Sequence, residues 1–296
     1  MFDILYATDG SSSALGAARF LTHLPHPDRV RLHLVTVCPE DRDPDDTEGT
    51  EVLEATHEAL AGFAGEITRS ILRAENGTAA VVEAIAQEAA RLDSDLVVVG
   101  VGGRSALHRL FPGSVADGVV RHAPCPTLMA APVVGEAFDR ILLAFDGSPD
   151  ALAAAHWLPA LPLSAICDIR VVSVVLPNPL FTGGAGILLL ASGTDVDRLV
   201  EEDRAHIVAT QEEMIRLLRD RGIGCTFRTD TVENRNAGEA LTELAREDGT
   251  DLIVIGSRGR SGWEEILLGS VSNYVLHHAP CSVLVVRSAT KAEPGA

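Results

Sequence analysis

Aromatic side chains are scarce in this 296-residue chain, only 4% of it, with two tryptophans and two tyrosines. A core must therefore be built from Ala, Val, Leu and Ile, which suits helices laid on a buried parallel sheet. Basic residues are few as well: 24 Lys and Arg stand against 42 Asp and Glu, a formal net charge of −18. That surplus opposes non-specific attachment to nucleic acid or anionic lipid, although one small phosphate ligand needs only a few local donors. No run approaches the ~18 uninterrupted apolar residues of a membrane-spanning helix. The segment MFDILYATDG lacks the basic region and long apolar stretch of a signal peptide, so a cytoplasmic protein is expected. The five cysteines (Cys38, Cys125, Cys167, Cys225, Cys281) include no Cys-x-x-Cys pair. Their odd number and scatter argue against a disulfide framework or a zinc site, and for small buried residues in a reducing compartment.

Several catalytic templates are missing too. There is no Gly-x4-Gly-Lys-Ser/Thr, no Gly-x-Ser-x-Gly and no His-Glu-x-x-His, so NTPase, hydrolase and zinc-protease readings lack support. Among ten histidines, His122 and the pair His277-His278 recur before Ala-Pro-Cys, without a carboxylate or cysteine cluster at ligand spacing. Their expected place is the end of a helix, where a partly charged imidazole favours the dipole. The acidic run Glu40 to Glu54 reads as a solvated loop.

What is present is an ordinary globular balance, 46% hydrophobic and 22% charged, over a length that suits two domains. The chain repeats itself. ILYATDGSSSALGAARFL from Ile4 matches ILLAFDGSPDALAAAHWL from Ile141. DLVVVGVGGRSALHRLFPGSVADGVVRHAPCPTLMA from Asp95 matches DLIVIGSRGRSGWEEILLGSVSNYVLHHAPCSVLVV from Asp251. Asp9 pairs with Asp146, 137 residues on, but Gly100 pairs with Gly256, 156 on, so the second half carries 19 more residues between its blocks. The surplus falls in LPNPLFTGGAGILLLASGTDVD, whose GILLLASG is too short to span a membrane. It reads first as a packed loop, with a lid or a docking surface as alternatives. Domains are expected at residues 1–134 and 135–296.

Each half alternates strand and helix. In the first, FDILYAT, VRLHLVTV, DLVVVG and PTLMAAP read as strands, and Val52, Leu53, Leu60, Phe63, Ile67 and Ile71 follow a helical spacing. In the second, RILLAFD, DIRVVSVV, CTFRTDTV, DLIVIG and CSVLVVR are strands. The expected architecture is α/β: two tandem open parallel five-stranded sheets with helices on both faces.

Ligands of such sheets bind beyond the carboxyl ends of the strands. Asp9 and Asp146 stand there, each followed by Gly-Ser. So do two loops of one spacing: Gly100-x2-Gly103-x9-Gly113-Ser114 and Gly256-x2-Gly259-x9-Gly269-Ser270. Their glycines let backbone N–H groups approach a phosphate, and Gly113-Ser114 and Gly269-Ser270 open helices whose first turns offer free donors. The serines can cap those helices or meet a phosphate. Arg104, Arg258 and Arg260 are candidate phosphate contacts or surface charges.

The two glycine motifs, the early strand aspartates and the HAPC segments make the whole chain resemble two copies of the universal stress protein family. The resemblance implies strand order 3-2-1-4-5 in each half, with ATP, accompanied by Mg2+, bound in each. It gives Asp9 and Asp146 the ribose and metal-bound phosphate end. Val37 and Val174 would meet adenine through backbone groups, and the glycines and serines would hold the phosphates. GVGG in the first loop lacks the arginine of GSRG, and Pro112 precedes Gly113, so the first site is the one expected to bind more weakly or be altered.

The expected role is a regulator or sensor rather than an enzyme. The rival reading is a nucleotide-free assembly module, and a third is an ATP-pyrophosphatase-like enzyme. The last strands are expected to pair the two domains, leaving other surfaces for a homodimer.

Overall fold

A computed structural model describes residues 1–22, 30–39, 45–63, 65–101, 113–132, 139–161, 167–175, 196–221, 225–233, 236–259 and 268–288. The first half runs β1 (Phe2–Ala7), α1 (Ser12–Thr22), β2 (Val30–Pro39), α2 (Thr47–Ala59), β3 (Glu66–Ala74), α3 (Thr78–Arg91), β4 (Leu96–Gly100), α4 (Ser114–His122) and β5 (Thr127–Ala130). The second runs β6 (Arg140–Ala144), α5 (Pro149–Trp157), a 3-10 turn (Leu158–Ala160), β7 (Asp168–Val175), α6 (Val196–Asp220), β8 (Thr226–Glu233), α7 (Ala237–Asp248), β9 (Leu252–Gly256), α8 (Ser270–His278) and β10 (Ser282–Val286).

Each half has the order 3-2-1-4-5 with parallel neighbours. The two sets of strands are not separate sheets, however. β5 and β10 pair antiparallel, Leu128 opposite Leu284, to give one ten-stranded sheet. The last strands thus join the two halves, as expected, and β3 and β8 become the outer edges. Side chains alternate across this sheet. Ile4 and Tyr6 of β1 enter one core with Ala17, Phe20 and Leu53, whereas Leu5 and Ala7 enter the other with Val82, Ile85 and Val119. Burial on both faces explains why Val97, Val98 and Val99 form an unbroken apolar run.

Further contacts cross the seam. Arg121 Nη2 donates to Asn273 Oδ1 at 2.7 Å, linking α4 to α8. Arg287 Nη2 donates to the carbonyls of Val120, at 2.8 Å, and Arg121.

Four further expectations change. Ile67 and Ile71 lie in β3 rather than in a helix. Residues four apart share a face in both structures, so their spacing could not decide; Gly62, at φ +104°, turns the chain between α2 and β3. The acidic run is not all loop, since Glu48, Glu51 and Glu54 belong to α2. Cys167 and Cys225 are joined in a disulfide, with Cα atoms 4.7 Å apart, although five unpaired thiols were expected. Each directly precedes a strand of the parallel pair β7–β8, so register brings together cysteines 58 positions apart. Finally, Ser114 and Ser270 do not cap their helices, because Gly113 and Gly269 hold the N-cap positions.

The histidines do end helices. The Nδ1–H groups of His122, His277 and His278 donate to the carbonyls of Gly118, Asn273 and Tyr274, each at 2.8 Å. The apolar segment GILLLASG lies outside the described residues. No helix among those residues is long and apolar enough to cross a membrane.

Candidate functional site

The first half carries a cleft of about 430 Å³ at the carboxyl ends of β1, β2 and β4. It forms where β1 stops. Thr8 N–H makes the last ladder bond, to Val35 O at 2.9 Å. Gly10, at φ +68°, then turns the chain into α1. Asp9 Oδ1 accepts the Ser11 N–H at 3.0 Å, and Ser11 Oγ accepts the Ala14 N–H at 3.3 Å, so one turn fixes the exposed aspartate and caps the helix. In a parallel ladder, residues two apart direct their peptide groups to the same neighbour. Val35 bonds toward β1, so Val37 turns its N–H and C=O into the gap beyond that strand.

Gly100 closes the floor, and its missing side chain has a packing reason as well. A Cβ there would lie 2.9 Å from Ala14 Cα, so the missing side chain admits the first turn of α1. Tyr6 ties down the same turn through its hydroxyl, which donates to the Ala14 carbonyl. Burial pushes that phenol's pKa upward. Thr8 Oγ1 and Thr56 Oγ1, 3.0 Å apart and buried, hold α2 against the site. Gly113 is different, since a Cβ there would meet nothing within 4 Å among the described residues. It stands at the N-terminus of α4 as a glycine N-cap, so no N-cap side chain takes the first-turn N–H groups. Ser114 follows, its Oγ 3.4 Å from Thr78 Oγ1. Asp9, Val37, Gly100, Gly113 and Ser114 therefore line one cleft. Gly103 and Arg104 lie outside the described residues. Glu48 also lines the cleft and was not foreseen, while neither Lys nor Arg stands among the described lining residues.

The second half repeats the turn. Asp146 Oδ1 accepts the Ser148 N–H at 2.9 Å, and Ser148 Oγ accepts the Ala151 N–H at 3.2 Å to cap α5. Phe145 N–H bonds Val172 O at 2.8 Å, so by the same alternation Val174 faces the gap beyond β6. Gly256 again makes room for a helix, a Cβ there falling 2.7 Å from Ala151 N. A Cβ on Gly259 would fall 2.9 Å from Asp146 Oδ2. Gly269 N–H donates to Ser257 O at 2.7 Å, and Ser270 begins α8. Arg260 lies outside the described residues.

Arg258 is paired with a carboxylate of the chain itself. Its Nε and Nη2 stand 3.2 and 3.4 Å from the carboxylate oxygens of Asp150, which is 3% exposed. Burial works to raise the Asp150 pKa, but hydrogen bonds from Arg258, Ser257 and Ser288 outweigh it and hold the carboxyl down at about 2. Sequence reasoning missed Asp150. The signal was available, because the repeat sets it opposite Ser13.

Comparison with known proteins fits this architecture. The model of the universal stress protein family matches residues 1–131 and 137–287. A universal stress protein of Mycobacterium bovis is 30% identical over 206 residues, which cover 66% of this chain and 62% of that protein. Another, from Synechocystis, is 57% identical over 49 residues, 17% of this chain and 45% of that protein. The chain thus spans 45% to 62% of the length of these curated relatives. The crystal structure of a universal stress protein from Archaeoglobus fulgidus matches with a TM-score of 0.64 at 19% identity, covering 97% of this chain and 98% of that one. At that identity the likeness is one of fold.

Proposed function

The chain belongs to the universal stress protein family, and we propose that it works as a regulator or sensor of stress that binds ATP with Mg2+ in the first-half cleft. The observation that carries this reading is the pairing of a helix N-terminus with a glycine N-cap, unobstructed at Gly113 among the described residues, with the outward-facing peptide groups of Val37 in one cleft. The first suits phosphate oxygens and the second a hydrogen-bonding base edge. Apolar neighbours such as Val52, Ile85 and Val99 suit the flat faces of that base.

Charge bears on the cation. The cleft carries Asp9 and Glu48 with no described basic lining residue, so a bare triphosphate is repelled. A bound Mg2+ supplies the neutralising charge, and Asp9, fixed by its own turn, is the carboxylate placed to hold it. This reading gives Asp9 a ligand's part rather than that of a general base, and the protein the part of a binder rather than an enzyme.

Calorimetric titration with Mg-ATP tests the reading. Wild-type protein is expected to bind, and both EDTA and Asp9→Ala to weaken binding about tenfold or more, the scale of losing one charge-assisted contact. No binding by wild-type protein would favour the assembly module. Rapid release of labelled phosphate would favour an enzyme.

A further inference from the structure

We propose that the second half is closed by its own carboxylate: Asp150 occupies the position of a ligand anion on the loop after β9, and the chain binds one nucleotide rather than two. The inference rests on the nucleotide reading above and specifies which half serves it. Asp150 lies in the first turn of α5 and reaches the loop because Gly256 lets that helix approach β9. Its Oδ2 accepts the Ser257 hydroxyl at 2.6 Å and the Arg258 N–H at 3.0 Å. Its Oδ1 accepts the Ser288 N–H at 2.9 Å, and the Arg258 guanidinium covers both oxygens. A hydroxyl, two backbone amides and a guanidinium around one buried carboxylate are donors that a phosphate oxygen would otherwise seek.

The described start of the loop, at Gly256, Ser257 and Arg258, is fastened at further points. Ser148 Oγ donates to Arg258 O at 3.2 Å, Ser257 N–H to Val286 O at 2.7 Å, and Ser272 Oγ to Gly256 O at 2.7 Å. Asp146, the counterpart of Asp9, stands against Gly259, while the positive charge of Arg258 is already offset by Asp150.

The first half lacks the acid and three of its four donors, keeping only the backbone N–H at the position of Arg258, in Gly102. At the equivalent positions Ser13 replaces Asp150, Val101 replaces Ser257, Gly102 replaces Arg258, and Pro132, which has no N–H, replaces Ser288. Ser13 Oγ instead lies 3.0 Å from Ser11 Oγ. The acid, its hydroxyl donor, its guanidinium and the amide of Ser288 are thus present together in one repeat and absent together from the other. This reverses the expectation that the loop without arginine is the weaker one: Arg258 is committed to Asp150.

Titration of the full chain with Mg-ATP decides the matter. Wild-type protein should take one equivalent, and Gly113→Phe, which fills the open edge of the first cleft, should remove it. Two equivalents, or one that survives Gly113→Phe, would overturn the proposal. Total absence of binding overturns the nucleotide reading itself, a separate result. Asp150→Ser, shown to be folded by circular dichroism, should raise the stoichiometry to two, and a folded variant that still takes one removes the carboxylate from the explanation. If that variant does not fold, the wild-type and Gly113→Phe titrations decide alone.

Discussion

Phe2 at the start of β1 and Trp157 at the end of α5 come from different halves of the chain, yet their rings lie 5.8 Å apart at 55°. Trp157 is 2% exposed, and the core around it draws on both repeats. Replacing it with alanine should cost about 3–5 kcal/mol, the usual range for removing a large buried aromatic. Because core and sheet are shared, urea unfolding of wild-type protein should show one transition by fluorescence and circular dichroism alike. Separate transitions for the two halves would contradict this coupling.

Gly100 and Gly256 should behave unlike Gly113. A side chain at either of the first two drives into helix backbone, 2.9 Å from Ala14 Cα or 2.7 Å from Ala151 N. Valine at either position should lower stability by about 1–3 kcal/mol or more, the cost of overpacking. Gly113→Phe should leave the melting temperature nearly unchanged while weakening nucleotide binding. Equal losses of stability at all three positions would refute the distinction.

Acid should act on the second half through Asp150. Its carboxyl is held at about 2 in the folded protein against an ordinary 3.8. As pH falls, the unfolded chain takes up this proton first. The stabilisation is therefore complete above about pH 4 and is lost progressively as pH falls toward the folded value near 2. Denaturant midpoints measured across that window should fall more steeply for wild-type protein than for Asp150→Asn. Parallel slopes would show that this carboxylate is not responsible.

Thiol counting addresses the disulfide. Denatured, unreduced protein should expose three reactive thiols, from Cys38, Cys125 and Cys281. Closing a loop with a sequence separation of 58 stabilises by about 4 kcal/mol in the chain-entropy account, so reduction should lower the melting temperature. Five thiols before reduction would disprove the bond.

Much of this architecture is legible in the amino-acid order because the signals are local. DLVVVG and DLIVIG carry the apolar runs of doubly covered strands, and Asp9 and Gly113 fall at strand and helix ends marked by turn residues. β3 was obscured because an edge strand is only half buried and its two isoleucines fit either period. The Cys167–Cys225 bond depends on register between strands whose pairing no local pattern announces. Asp150 illustrates a different limit. An acid in the first turn of a helix is ordinary, and only its approach to Ser257, Arg258 and Ser288 shows what it holds.

The antiparallel seam between β5 and β10 sets the two halves head to tail. Strands of one repeat finish on the rim of the slab where those of the other begin, so the two mouths open in opposite directions. On the one-nucleotide proposal, with Asp150 shutting one mouth, occupancy would be announced from a single rim. A protein that responds to the nucleotide would then have to approach the side bearing Asp9 and Gly113, while one gripping the other rim would meet the same surface whether the nucleotide is bound or gone.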